Sequence, residues 1–177
     1  VSAIEAESNY RDYVSYIRED RPLGTAGALQ LIDEIPEGPF LVINGDVLTK
    51  VALQELTQFH ERERNLITMA LNERKFEVPY GVVELDNTRV TGLREKPSMP
   101  VLINAGVYVV EPIVLSRIPH DTRWNMTDVI DDLLAAQMRV GGFPIHEYWI
   151  DIGEPGQLRK AEDDFSEHFR GSAGQNK

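Results

Sequence analysis

The chain has 177 residues, 42% of them hydrophobic, and a formal net charge of −11. That length suits one domain with a sizeable core, and the missing basic surplus argues against a nucleic-acid partner, whose backbone needs a cationic surface to release counterions. There is no cysteine, hence no disulfide, thiolate nucleophile or cysteine zinc site, and no apolar run nears the roughly 18–20 residues that span a bilayer.

His60, His120, His146 and His168 are scattered without metal-ligand spacing. With no signal peptide and no membrane partner indicated, a cytoplasmic protein is expected. The chain opens on Val1 as if entered partway, so one domain over residues 1–170, incomplete at its N-terminus, is the expected organisation. The polar run Gly171–Lys177 reads as a disordered tail.

In chain order, Arg21–Leu31 (RPLGTAGALQL) concentrates small residues just before a short predicted helix. A tight turn explains that, and so does a flat ligand pressed against the backbone. Pro39–Val47 (PFLVINGDV) is an apolar run stopped by Asn-Gly-Asp, as in a parallel strand buried on both faces. A helix follows, with Leu53, Leu56 and Phe59 at helical spacing, then a buried strand over Leu66–Leu71. This alternation predicts an α/β fold with a largely parallel sheet. Tyr80–Pro97 reads as a hairpin turning at Asp86-Asn87, and Val101–Pro112 as a strand. The next helix has Asn125 or Thr127 as its cap, an apolar stripe of Met126, Val129, Ile130, Leu133, Leu134 and Met138, and a stop at Gly141-Gly142. Gly142–Gly153 is extended again. A last helix starts at Pro155 with Leu158, Ala161 and Phe165 inward.

Two aspartates stand where apolar strands meet glycine: Asp46 after LVING and Asp151 in YWIDIG. Ligands of open α/β sheets bind outside the carboxyl ends of strands, where two carboxylates can share a hard cation such as Mg²⁺ with substrate phosphates. Each could equally be a turn aspartate holding a backbone N–H. In REKP, Glu95 suits a pair of sugar hydroxyls and Lys96 a phosphate, with Arg94 as good a cation on chemical grounds. Strand alternation would send Glu95 and Lys96 to opposite faces unless Pro97 breaks it, and a solvated triplet is the plain alternative. Asn104 offers a donor and an acceptor to a hydroxyl. Gly106 and Gly81 each mark a close ligand approach or a bulge.

In order, PLGTAGAL, INGD, YGVVELD, REKP, INAGVYVVEP and YWIDIGEPGQLRKAEDD resemble the sugar-1-phosphate nucleotidylyltransferase family, also called NDP-sugar pyrophosphorylases, over Pro22 to about Asp164. Within it the chain is most similar to enzymes of the mannose-1-phosphate guanylyltransferase type. The resemblance implies a Rossmann-like nucleotide-diphospho-sugar transferase fold, a mostly parallel mixed sheet flanked by helices. It implies that a sugar 1-phosphate and an NTP react, in line and without a covalent enzyme intermediate, to NDP-sugar and pyrophosphate. By motif, Asp46 and Asp151 would hold Mg²⁺ and Lys96 would meet the sugar phosphate. Gly81, Glu95, Asn104 and the Gly106 backbone would grip the sugar, with Trp149 as a wall. Gly45, Gly24 and Thr25 would line the nucleotide. Glu19 stands where uridylyl and thymidylyl members carry glutamine. An ionised glutamate only accepts hydrogen bonds and so matches the paired donors of guanine, which implies GTP. A homodimer is a common state among relatives.

The family's G-x-G-T-R-L loop, followed by P-K, and the strand before it have no counterpart in this sequence. Their backbone amides and cations cradle the triphosphate. The chain by itself is therefore expected to be inactive. The alternative class is a catalytically dead nucleotide-sugar-binding or regulatory relative. A glycosyltransferase of related fold fits less well, since its aspartate–x–aspartate motif is not met by Asp46, Val47 and Leu48.

Overall fold

The structure, a computed structural model, describes residues 13–153 and 155–169, so the expected tail lies outside the described residues. The chain splits into two compact units, Val1–Gly38 with Pro112–Met138 and Pro39–Glu111 with Arg139–Lys177. Among the described residues no helix is long and apolar enough to cross a membrane.

In the first unit the small-residue stretch forms one helical turn, α1 (Gly24–Gly27), and a 3-10 turn over Ala28–Leu31. It docks backbone to backbone. The Ala26 and Gly27 amides both donate to the Trp124 carbonyl (2.9 and 3.0 Å), and the Trp124 amide donates to that of Leu23 (2.8 Å). A Cβ on Gly24, whose φ is +80°, would lie 2.6 Å from both the Trp124 carbonyl oxygen and Asn125 Oδ1. The approach of this neighbouring chain segment is enough to require glycine here. The longer helix of this unit, third in chain order, is α3 (Met126–Ala135). Asn125 holds its N-cap position, where its amide donates to Asp128 Oδ2 at 2.7 Å. Met126, Val129, Ile130 and Leu133 are buried at helical spacing, but Leu134 and Met138, expected in the same stripe, are 54% and 38% exposed. Leu134 falls on the next face of the helix, and Met138 lies beyond its end.

The stop predicted at Gly141-Gly142 is also corrected. Gln137, at φ +57°, takes the left-handed position, and the amides of Gln137 and Met138 donate to Leu134 and Leu133 carbonyls. That is a Schellman closure with glutamine in the usual glycine place. The two glycines lie in a strand, where Cβ atoms would meet Asn65 Nδ2 at 2.0 Å and Leu71 Cδ1 at 2.6 Å.

In the second unit β1 (Phe40–Ile43), β6 (Ser98–Val110), β3 (Ile67–Glu77) and β7 (Val140–Ile145) form a sheet in that order. β1 and β3 are antiparallel to β6, and β7 is parallel to β3. Thus β1, β3 and β7 share one direction and β6 alone opposes them, giving the mixed sheet expected. β2 (Val47–Thr49) pairs with β8 (Trp149–Asp151), and β4 (Val82–Asp86) with β5 (Arg89–Arg94) in the predicted hairpin. Helix α2 (Leu53–Glu63) packs on β3, β6 and β7, and α4 (Pro155–His168) on β8. Val51, Leu56, Ala70, Ala105, Val107, Val109 and Ile145 form the core.

Two expectations of full burial fail. β1 is an edge strand in the sheet, and its Leu41 and Ile43 are 40% and 46% exposed. Among the described side chains of α4 only Ala161 is buried, while Leu158 and Phe165 line an open apolar groove with Val47, Leu48 and Ile152. One buried residue had no warning in the hydrophobic pattern. His60, fully buried on α2, faces Thr68 Oγ1 through Nδ1 (2.9 Å) and Glu111 Oε1 through Nε2 (3.3 Å), and Asn65 Nδ2 donates to the same threonine oxygen (3.0 Å). Both ring nitrogens have partners, as burial of a polar ring requires.

Candidate active site

The carboxyl end of β1 carries a turn over residues 44–46, held where the Asn44 amide donates to the Gly106 carbonyl at 2.9 Å. Beyond it, β2 sets Val47 opposite Asp151 of β8, and the Ile152 amide donates to the Asp46 carbonyl at 2.8 Å. The two aspartates therefore converge. Asp151 Oδ1 and Asp46 Oδ2 lie 3.1 and 3.4 Å from the point that a Cβ on Gly153 would occupy. Both side chains are exposed. Asp151 Oδ1 accepts the Gly153 amide at 2.8 Å, the turn role foreseen as its alternative, and its second oxygen remains available. The Asp46 carboxylate has no hydrogen bond or ion pair among the described residues. An oxygen of each carboxylate lies within 3.4 Å of one point beside Gly153, so the pair is chemically suited to hold a hard cation. Among the described residues no group of three or more His, Asp and Glu forms, so further ligands would be water or substrate oxygens, the usual pattern for Mg²⁺.

β6 bulges at this edge, since β3 pairs Met69 with Tyr108 but Leu71 with Asn104. Gly106, φ +69°, sits in the bulge, and a Cβ there would lie 2.8 Å from Asn44 Nδ2. The Asn104 side chain donates to Tyr108 Oη (2.7 Å) and accepts the Gly106 amide (3.0 Å). It is exposed, and one amide hydrogen stays open to a ligand. Burial raises the Tyr108 pKa, against the opposing effect of the Asn104 bond. Trp149 is half-buried, fixed by its Nε1–H to the Ala105 carbonyl at 2.7 Å.

Trp149 and Asp151 line a cleft of about 720 Å³ together with Arg74, Lys75, Lys160 and Asp164. The Arg74 guanidinium lies 5.2 Å from the centre of the Trp149 ring. Sequence reasoning missed these three cations. Arg74 and Lys75 sit in a polar strand extension beyond the apolar run, and Lys160 on a helix that looks solvated. At the rim Tyr148 donates its hydroxyl to Asp164 Oδ2 at 2.7 Å; burial and that carboxylate push its pKa up to about 12. Glu147, just before β8, is held below the usual carboxylate range by bonds from its own amide and those of His146 and Ala52.

Gly81 and Glu95 meet: a Cβ on Gly81 would lie 3.1 Å from Glu95 Oε2. Lys96 is exposed at φ +43°. Both Glu95 and Lys96 precede Ser98, at the far end of the β3–β6 ladder, roughly 20 Å of extended strand from Asn104. Gly45 is exposed, and a Cβ there would meet nothing within 4 Å. In the first unit Glu19 Oε1 accepts the Leu23 amide at 3.1 Å, and Thr25 Oγ1 accepts the Met126 amide at 2.9 Å. The Thr25 hydroxyl thus caps α3 and keeps its own proton to donate.

Residues 2–168 match the family described as Nucleotidyl transferase. The chain is 34% identical over 160 residues to "Probable mannose-1-phosphate guanylyltransferase 3" of Arabidopsis thaliana, covering 85% of this chain and 48% of that protein. It is 33% identical over 167 residues to a mannose-1-phosphate guanyltransferase of Emericella nidulans, covering 88% and 45%. The chain thus spans about half the length of these relatives. Among solved structures, HddC from Yersinia pseudotuberculosis superposes with a TM-score of 0.65 at 25% identity, over 93% of this chain and 72% of that one. A match across nearly the whole sequence, with the ordered motifs that resemble it, makes this chain a member of the nucleotidyl transferase family.

Proposed function

We propose that this chain supplies the sugar-side and metal-side part of a sugar-1-phosphate guanylyltransferase. The observation that carries the reading is the convergence of Asp46 and Asp151 on the open face of Gly153. The names of the relatives support a hexose 1-phosphate as acceptor, and HddC, solved also in a complex with GMP-PN, supports a guanine nucleotide.

In the proposed reaction a phosphate oxygen of the sugar phosphate bonds to the α-phosphorus of GTP. The bond from that phosphorus to the bridging oxygen breaks, and pyrophosphate leaves with the electron pair. Mg²⁺ held by Asp46 and Asp151 would neutralise charge at the α-phosphate. The chain's own task is positioning. Asn104, locked between Tyr108 and Gly106, presents its remaining amide hydrogen to a sugar hydroxyl, and Trp149 forms an apolar wall. Gly81, Glu95 and Lys96 are the proposed sugar and phosphate contacts from the β6 approach, and Glu19, Gly24, Thr25 and Gly45 those of the nucleotide.

The experiment is a panel of NTPs and sugar 1-phosphates scored by pyrophosphate release on the parent protein that carries this chain, paired with calorimetric binding of GDP- and UDP-sugars to the chain itself. GTP with a hexose 1-phosphate is the expected productive pair. Equal affinity for GDP- and UDP-sugars, or no loss on Glu19→Gln, removes the guanine assignment. No G-x-G-T-R-L loop stands in the 177 residues, so we further propose that the chain alone binds these ligands without turnover. Normal turnover by the isolated chain overturns that, and absence of any nucleotide-sugar binding overturns the reading as a whole.

A further inference from the structure

We infer that Arg74 and Lys160, with Lys75 beside them, form a binding cleft for a phosphoryl group next to Asp151. The ligand class rests on the phosphoryl-transfer reading above; the cleft itself rests on its own geometry.

Two cations from separate elements, Arg74 of β3 and Lys160 of α4, line one concavity of about 720 Å³, while Lys75, next to Arg74 in the strand, alternates to the other face and contributes only its charge. In a chain of net charge −11 that grouping runs against the overall balance. None of the three is neutralised by an ion pair among the described residues. The lining carboxylates are Asp151 and Asp164, and Asp164 already accepts the Tyr148 hydroxyl.

Arg74 is also preorganised. Its guanidinium lies over the Trp149 indole, and that ring is fixed by its bond to the Ala105 carbonyl. A guanidinium lying over an aromatic ring keeps its N–H edge outward, the geometry that grips two phosphate oxygens at once. Lys160, one helix away, adds a mobile point charge, and Lys75 strengthens the local field. Asp151 at the edge repels a bare anion, so the cleft favours a phosphoryl group that reaches the cations from the side away from it.

The test is calorimetric titration of the 177-residue chain with sodium pyrophosphate, inorganic phosphate and a hexose 1-phosphate, in EDTA, at low and at tenfold higher ionic strength. EDTA removes any ion from Asp46 and Asp151, so this binding can fail while the metal reading stands, and the reverse. Arg74→Ala and Lys160→Gln are each expected to weaken pyrophosphate binding about tenfold, and Arg74→Lys to recover only part of the loss, since it lacks the planar fork. Arg89→Gln, on the exposed hairpin, should bind as the parent does. Tighter binding of the hexose 1-phosphate than of inorganic phosphate assigns the cleft to the sugar substrate, and pyrophosphate tightest of all assigns it to the product; either supports the cleft. No binding at low salt, or equal binding by Arg74→Ala, Lys160→Gln and Arg89→Gln, overturns it. The two test residues sit on separate elements, and circular dichroism of each variant separates loss of binding from loss of fold.

Discussion

The amide of Ile152 donates to the carbonyl oxygen of Asp46 at 2.8 Å, so the backbone stitches together the two turns that carry the acidic pair. The carboxylates themselves are left out of that seam. Asp46→Asn and Asp151→Asn should therefore change stability by less than about 0.5 kcal/mol. Each should weaken Mn²⁺ binding, measured by calorimetry in the presence of GTP, by about tenfold or more, because a neutral amide oxygen is a poor ligand for a hard cation. Unchanged Mn²⁺ affinity in both variants would remove the metal role.

Gly24 and Gly45 were both candidate nucleotide contacts, and the structure separates them. Gly24→Ala brings a methyl to 2.6 Å from the Trp124 carbonyl oxygen at a φ of +80°. A destabilisation of at least about 2 kcal/mol is expected in urea unfolding. Gly45→Ala enters open space and should stay within about 0.5 kcal/mol of the parent, so any loss of nucleotide affinity in that variant reports on binding alone.

His60→Ala removes a buried ring and takes partners from Thr68 and Glu111. The lost hydrogen bonds and the void together should cost about 3 kcal/mol. Chemical denaturation measures it, and a loss under about 1 kcal/mol, the ordinary worth of one exposed contact, would mean that the network contributes little.

Glu147 sets a pH dependence. Its pKa is lowered in the folded chain relative to an ordinary value of 4.5 by amide donors, including that of Ala52 just ahead of α2. The stabilisation is fully present above pH 4.5 and is lost as pH falls through the lower folded value. Glu147→Gln should accordingly flatten the acid limb of a stability-versus-pH curve below that point and leave its slope near neutrality unchanged.

Gln137 occupies the left-handed position that closes α3. Replacing it with glycine should add about 0.5–1 kcal/mol, by relieving the Cβ strain of that conformation. A midpoint at or below the parent's in thermal unfolding would show that the glutamine side chain compensates.

The sequence carried much of this arrangement. The hairpin over Tyr80–Pro97 and the helix after Asn125 follow from strong local signals, turn residues and a cap with an apolar stripe, whereas the expectation that Asp46 and Asp151 meet comes from the ordered motifs taken together. What stayed hidden depends on long-range neighbours. The packing that requires Gly24 stayed hidden because its partner, Trp124, is far away in sequence. Gly141 and Gly142 looked like a helix stop because the Asn65 and Leu71 side chains that press on them are equally remote. Arg74 and Lys160 looked solvated because a polar strand and a charged helix face announce nothing about the concavity they share.

One consequence follows from the β3–β6 ladder. From Leu71 opposite Asn104 to Glu77 opposite Ser98 the register runs unbroken, and most of that stretch is exposed as it carries the chain toward the hairpin. Side chains in such an arm swap sides with every single-residue change in length. Insertions and deletions there should come in matched pairs of residues on each strand. Relatives would then differ in reach by whole pleats, with Glu95 and Lys96 moved nearer or farther but never turned over.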